Sequence, residues 1–173
     1  MANTLTISNI TGKVLWEFAK TENWGDSTRQ SSSFTYSDSL AQGTGADQAD
    51  LLFVNQTTLA AGATLNLDLA GSLTDVFGAT ITFARIKTFY FSLLTTTTAS
   101  SVTIGNHASA AFLGWFSAAT DRITVRNGGF FMISAPDATG YAVTATTADI
   151  IKILNNDGSN IATYQIAIAG TSA

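Results

Sequence analysis

Residues 148–170, ADIIKILNNDGSNIATYQIAIAG, constrain this chain most: two apolar runs of strand length parted by a polar turn at Asp157-Gly158. In the second run Tyr164, Ile166 and Ile168 alternate with Gln165 and Ala167, the pattern of a strand with one buried face. The spacing predicts a β-hairpin closed by the Asp-Gly turn, with Tyr164, Ile166 and Ile168 in the core. An earlier stretch, residues 49–71 (ADLLFVNQTTLAAGATLNLDLAG), has the same length and the same order of parts. Aligned without gaps, the two share Ala-Asp at the start, Ala-Thr in the middle and Ala-Gly at the end. Two such hairpins supply the two faces of one sandwich.

The remaining residues extend that reading. Leu5 and Ile7 alternate with polar neighbours, as do Val14, Trp16 and Phe18 after a Thr11-Gly12 turn, giving two short strands. Residues 21–48 change character to a polar, Gly/Ser/Thr-rich stretch, expected to be a long loop region holding one short strand at residues 33–37. Ser72 and Asp75 have the spacing of a capping box and predict a single helical turn before Gly78. Over residues 79–94 a strict strand would drive Arg85 and Lys87 into the core beside Phe89, Phe91 and Leu93. Helical spacing also fits there, but the β-branched and aromatic content favours a long strand with a bulge near Arg85. Asn127-Gly128-Gly129 is a turn between strands at 122–126 and 130–134, and Pro136 ends the latter. Nine or ten short strands with frequent turns and no helix of length predict an all-β chain. The expected fold is a single-domain antiparallel β-sandwich over residues 1–173, jelly-roll-like, with at most one short helical turn.

Charge narrows the partners. A net charge of −4 and eight scattered Lys and Arg residues argue against nucleic acid, whose binding rests on basic groups neutralising phosphates. The chain has no cysteine, so neither a disulfide framework nor Cys-ligated zinc is open to it. The first residues lack the pattern of a secretory signal, and no apolar run is long enough for a membrane helix, so a chain made in the cytoplasm and soluble there, without membrane contact, is expected. Asn9-Ile-Thr and Asn55-Gln-Thr match the glycosylation sequon only by composition.

No catalytic constellation emerges. His107, the single histidine, could pair with Ser109 or Ser101, yet its GNHAS setting reads as an ordinary loop after a strand. Asp50, Asp68, Asp149 and Asp157 could be assembled into a carboxylate pair only at a separation that spacing does not predict, and Glu17 and Glu22 sit at a strand end and in a loop; most of these acids are expected to be solvated. Asn155-Asn156-Asp157-Gly158 lacks the downstream acid of a calcium loop and reads as a turn. No cofactor, metal or catalytic residue is assigned, and the chain is expected not to be an enzyme. Trp16 and Trp115 stand in apolar surroundings and are expected in the core. Trp24, among polar neighbours, either pins a loop or anchors a partner, and Tyr141 joins it as a possible partner-contact residue.

The run 68–87 (DLAGSLTDVFGATITFARIK), the Gly-Gly turn and aromatic strand at 127–131, and the closing run 143–170 (VTATTADIIKILNNDGSNIATYQIAIAG) resemble small structural proteins of tailed bacteriophages. The similarity covers about residues 50–173 and leaves 21–48 outside it. The resemblance implies a jelly-roll-like virion component, a capsid decoration (cement) or minor head protein. Its implied partners are the major capsid protein or other virion proteins, and it carries over no active-site residue. A homo-oligomer is expected with it, trimer ahead of dimer. The competing expectation is a carbohydrate- or receptor-binding β-sandwich module of a phage fibre or a lectin, with Trp24 and Tyr141 as platform residues.

Overall fold

The computed structural model describes residues 4–21, 25, 27–97 and 100–173. Among these every regular element is a strand: β1 (Ile7–Thr21), β2 (Ser27–Gln42), β3 (Gln48–Ala49), β4 (Leu51–Leu59), β5 (Thr64–Asp68), β6 (Leu73–Thr74) and β7 (Thr80–Ile81) in the first half. The second half holds β8 (Arg85–Leu93), β9 (Ser101–Gly105), β10 (Arg122–Arg126), β11 (Phe130–Ser134), β12 (Tyr141–Ala142), β13 (Ile150–Asn155) and β14 (Ala162–Thr171).

Two sheets build the body, one ordered β10-β9-β13-β5 and the other β11-β8-β14-β4, with β12 paired to the start of β8. Their ladders are all antiparallel. With these eight strands taken in chain order, each sheet alternates early and late strands as a jelly roll does, so the expected β-sandwich is a jelly roll in strand order as well as in class. The core lies between the sheets and includes Phe53, Leu67, Phe89, Phe91, Val102, Ile104, Ile151 and Ile153. Tyr164, Ile166 and Ile168 are buried in it, as the alternation required.

The two similar segments are not hairpins. β4 lies in one sheet and β5 in the other, and β13 and β14 divide in the same way. Each segment is an arch that crosses the core, and the arches clasp each other: β4 pairs with β14 in one sheet while β5 pairs with β13 in the other. Alternation could not separate the two forms, because hairpin and arch both turn one side of each strand inward. The arches meet at their tips. Asn155, buried on β13, donates its side-chain amide to the carbonyls of Leu59, Ala60 and Asn160 at 3.2, 3.0 and 2.8 Å. The Gly62 amide donates to the Asp157 carbonyl at 2.8 Å.

Two other expectations change. In place of a helical turn at 72–75, β6 pairs with β7 and Asp75 Oδ1 accepts the Phe77 and Ala79 amides at 2.8 and 2.9 Å. The bulge expected near Arg85 falls at Lys87: Thr88 pairs with Ala169 and Ile86 with Gly170, which leaves Lys87 without a partner on β14. That slip lets Ile86 share the interior with Phe89 and Phe91. Lys87 is buried too, its ammonium donating to the Asp137 carbonyl and its own carbonyl accepting the Ala135 amide.

The largest departure concerns residues 21–48. In place of a loop with a short strand at 33–37, a continuous strand runs from Ser27 to Gln42 and pairs with β1, itself unbroken across Thr11-Gly12. Together they form a long ribbon, the arm. Phe34, Tyr36 and Leu40 carried its alternation, but runs of serine and threonine between and before them concealed it.

Candidate interaction surface

Directly opposed residues in an antiparallel pair share a face, so the register sorts the arm into two sides. Val14 opposes Phe34, Trp16 opposes Ser32, Gly12 opposes Tyr36 and Ile10 opposes Asp38. One side therefore carries Ile10, Gly12, Val14, Trp16 and Phe18 from β1, with Phe34, Tyr36 and Leu40 from β2. The other carries Thr11, Lys13, Glu17, Ser31, Ser33 and Thr35, with Leu15 as its one large apolar member. Glu17 and Arg29 form an ion pair on this polar side, at 2.6 Å and largely exposed, worth about 0–1 kcal/mol.

Among the described residues the apolar side meets the body only at the arm's base. Ile10 and Leu40 are buried with Ala49 and Ala169, and Leu52 and Met132 pack against them on the outer face of the β11-β8-β14-β4 sheet. A methyl at Gly12 would stand 3.4 Å from Met132 Cε, and the Tyr36 hydroxyl donates to Asp38 at 3.1 Å and is hydrogen-bonded to Ser134. The contacts thus step from Ala169 on β14 to Met132 and Ser134 on β11, the outermost strand of that sheet. Beyond β11 the same apolar stripe continues without cover among the described residues: Val14 is 64% exposed, Phe18 70% and Phe34 76%. Trp16 packs on Phe34 with ring centroids 4.9 Å apart and is half-buried there, so it lies in the arm and not in the core.

The sheet face beside the arm is also open. A groove of about 450 Å³ runs between Ile7, Ile10, Leu52, Tyr90, Met132 and Ala167, and a second of about 460 Å³ continues it past Val54, Gln56 and Gln165. At the rim Phe130, 66% exposed, stacks on Tyr90 at 6.4 Å. A smaller apolar point, Val76-Phe77, projects from the β6–β7 turn.

The residues weighed for chemistry are held in structural duties. His107 Nδ1 accepts the Ala110 amide at 3.2 Å, closing its own turn. Asp50 binds the Ser172 amide at 2.8 Å, and Asp68 binds the Ala70 amide at 2.9 Å. Asp149 is buried, with Oδ2 on the Thr146 amide at 2.6 Å and Oδ1 without a partner among the described residues. Asp157 accepts the Ser159 amide, the Asn160 side chain, the Ser100 hydroxyl and the Asn160 amide, which hold its carboxyl down at about 2. No three His, Asp or Glu residues among those described gather as a metal site would require.

Of the two partner-contact candidates, Tyr141 is half-buried and meets Trp115 edge-on at 5.6 Å. Burial, with Asp137 nearby, raises its hydroxyl above the usual tyrosine range. Trp24 lies between β1 and β2 in sequence, outside the described residues, as does Glu22. Trp115 packs against the core beside Phe89 and Phe112. The exposed members of the arm stripe, Val14, Phe18 and Phe34, escaped the sequence reading because their side of the ribbon could be assigned only once the register was known.

Comparisons with protein-family models, with characterised proteins and with solved structures return no match.

Proposed function

We propose that this chain is a non-enzymatic structural protein of a virion, a capsid decoration or minor head protein that acts through protein–protein contacts with the major capsid protein or its virion neighbours. One observation carries the reading: a jelly-roll body presents a long arm whose apolar stripe extends past its own sheet. A side chain such as Phe18 or Phe34 loses favourable burial energy in water, and several in a row on an ordered ribbon call for a protein surface to cover them. The phage-like sequence pattern at 68–87 and 143–170 supports the same reading from the other end of the chain.

The test is reconstitution on the particle. Purified virions of the phage encoding the chain are expected to contain it, and particles lacking it are expected to take up the purified protein in co-sedimentation. The double variant Phe18→Ser/Phe34→Ser is expected to bind more weakly. Absence of the chain from virions, together with no uptake, contradicts the reading.

A further inference from the structure

We infer that the overhanging stripe of the arm is covered by a second copy of this chain, in the open grooves on the outer face of its β11-β8-β14-β4 sheet. The inference deepens the structural role proposed above by naming the partner of the arm.

Three observations lead to it. First, the contact already exists within one molecule: Ile10 and Leu40, on the apolar side of the arm, are buried against Ala169, Leu52 and Met132 of this sheet face. The uncovered residues Val14, Phe18 and Phe34, with the half-buried Trp16 between them, continue the same side of the same ribbon, and the sheet face continues as Val54, Tyr90, Ala167 and Phe130. Donor and acceptor surfaces are therefore extensions of one established contact, in matching chemistry. Second, the arm leaves the body across β11, an edge strand, so a neighbour placed at that edge meets it without rearrangement of either sheet. Third, the size suffices. Residues 13–21 and 27–35 make a ribbon about 30 Å long at the usual strand rise and about 10 Å wide. In a reciprocal exchange two such contacts lie in one interface, and at about 300 Å² of ribbon face on each partner per contact they bury on the order of 1,200 Å² of total surface, the lower end of the range of specific interfaces.

Exchanged reciprocally, the arm-to-groove contact makes an isologous two-fold dimer; passed head to tail it is heterologous and is completed by closing into a ring. Charge does not oppose it: the receiving residues Val54, Gln56, Tyr90, Gln165 and Ala167 are neutral, and so are the four residues of the stripe.

Sedimentation velocity on the full chain and its variants reads the outcome. The wild type is expected to be a dimer or a closed ring at micromolar concentration. Phe18→Ser/Phe34→Ser on the arm and Val54→Glu in the groove are each expected to raise the dissociation constant by about 30-fold or more, the loss typical of a central contact. Both alter exposed positions outside the core between the sheets, so hydrogen-exchange protection of β8 and β14 is expected to stay that of the wild type. Mixing the two variants is expected to give a heterodimer held by the one contact that pairs the intact arm with the intact groove, weaker than the wild-type dimer and tighter than either variant alone. A monomeric wild type overturns the inference, as does an oligomer that survives either variant. The shell reading fails separately: an arm-dependent oligomer that never binds particles sinks that reading alone, and a monomer that decorates particles sinks this one alone.

Discussion

Asp157 and Asn155 show how single polar residues fix the crossing of the arches. Asp157 sits at the turn with four hydrogen bonds into its carboxylate, and its folded pKa of about 2 lies below the ordinary 3.8. A carboxyl with a depressed folded pKa contributes stability that is present above the unfolded value and disappears as pH falls through the folded one. Asp157→Asn is thus expected to be less stable than the wild type at neutral pH, with the gap in urea midpoint narrowing between about pH 4 and pH 2. Equal gaps at both ends would refute that origin. Asn155→Ala removes a buried amide from the carbonyls of Leu59, Ala60 and Asn160, of which the Leu59 bond is buried, and is expected to cost about 2 kcal/mol in urea denaturation. Burial lowers the Lys87 pKa, against the opposing pull of Asp137. The unfolded chain therefore binds the extra proton in the window below 10.5, and Lys87 destabilises the fold more at neutral pH than at high pH. Relative to Lys87→Met, the wild type is expected to gain stability as pH rises toward that value, measured by thermal melts of both proteins.

Strands, as opposed to their partners, were largely legible in the sequence. Tyr164, Ile166 and Ile168 announced a half-buried strand by parity alone, and Asn127-Gly128-Gly129 announced a turn by its need for a left-handed residue, which Gly128 supplies at φ 68°. The bulge was legible within two residues, because Arg85 and Lys87 fall on the parity of Phe89 and Phe91 and strict alternation would bury both cations; the structure buries Lys87 alone, at the bulge. Whether 49–71 and 148–170 fold as hairpins or arches was not legible, since that choice is decided by pairing between segments about a hundred residues apart. Nor was the arm, for a ribbon wetted on one side needs few apolar residues, and serine-rich strands look like loops. Gly170 marks where the clasp is tightest: a Cβ there would overlap the Arg85 carbonyl and stand 2.7 Å from Phe83 Cδ1. Gly170→Ala is expected to lower stability by about 2–3 kcal/mol, as overpacking at a closed site does, measured by urea denaturation. A neutral effect would mean that β8 and β14 part more readily than this packing allows.

The molecule as a whole divides into a closed body and an open arm. The body buries a continuous core between two sheets, with each arch locked by the other. Among the described residues the arm is held by its two-stranded pairing and a small cluster at its base, and an isolated ribbon of that kind is marginal in water. The arm is an interaction element, completed when a second copy covers its apolar stripe. Hydrogen exchange across a dilution series tests this most directly, because it reads the backbone of β1 and β2 without any substitution. Amides of residues 13–21 and 27–36 are expected to be protected at high protein concentration and to exchange rapidly on dilution, while those of β8 and β14 stay protected throughout. Arm amides whose exchange is the same at every concentration, whether fast or slow, would contradict it.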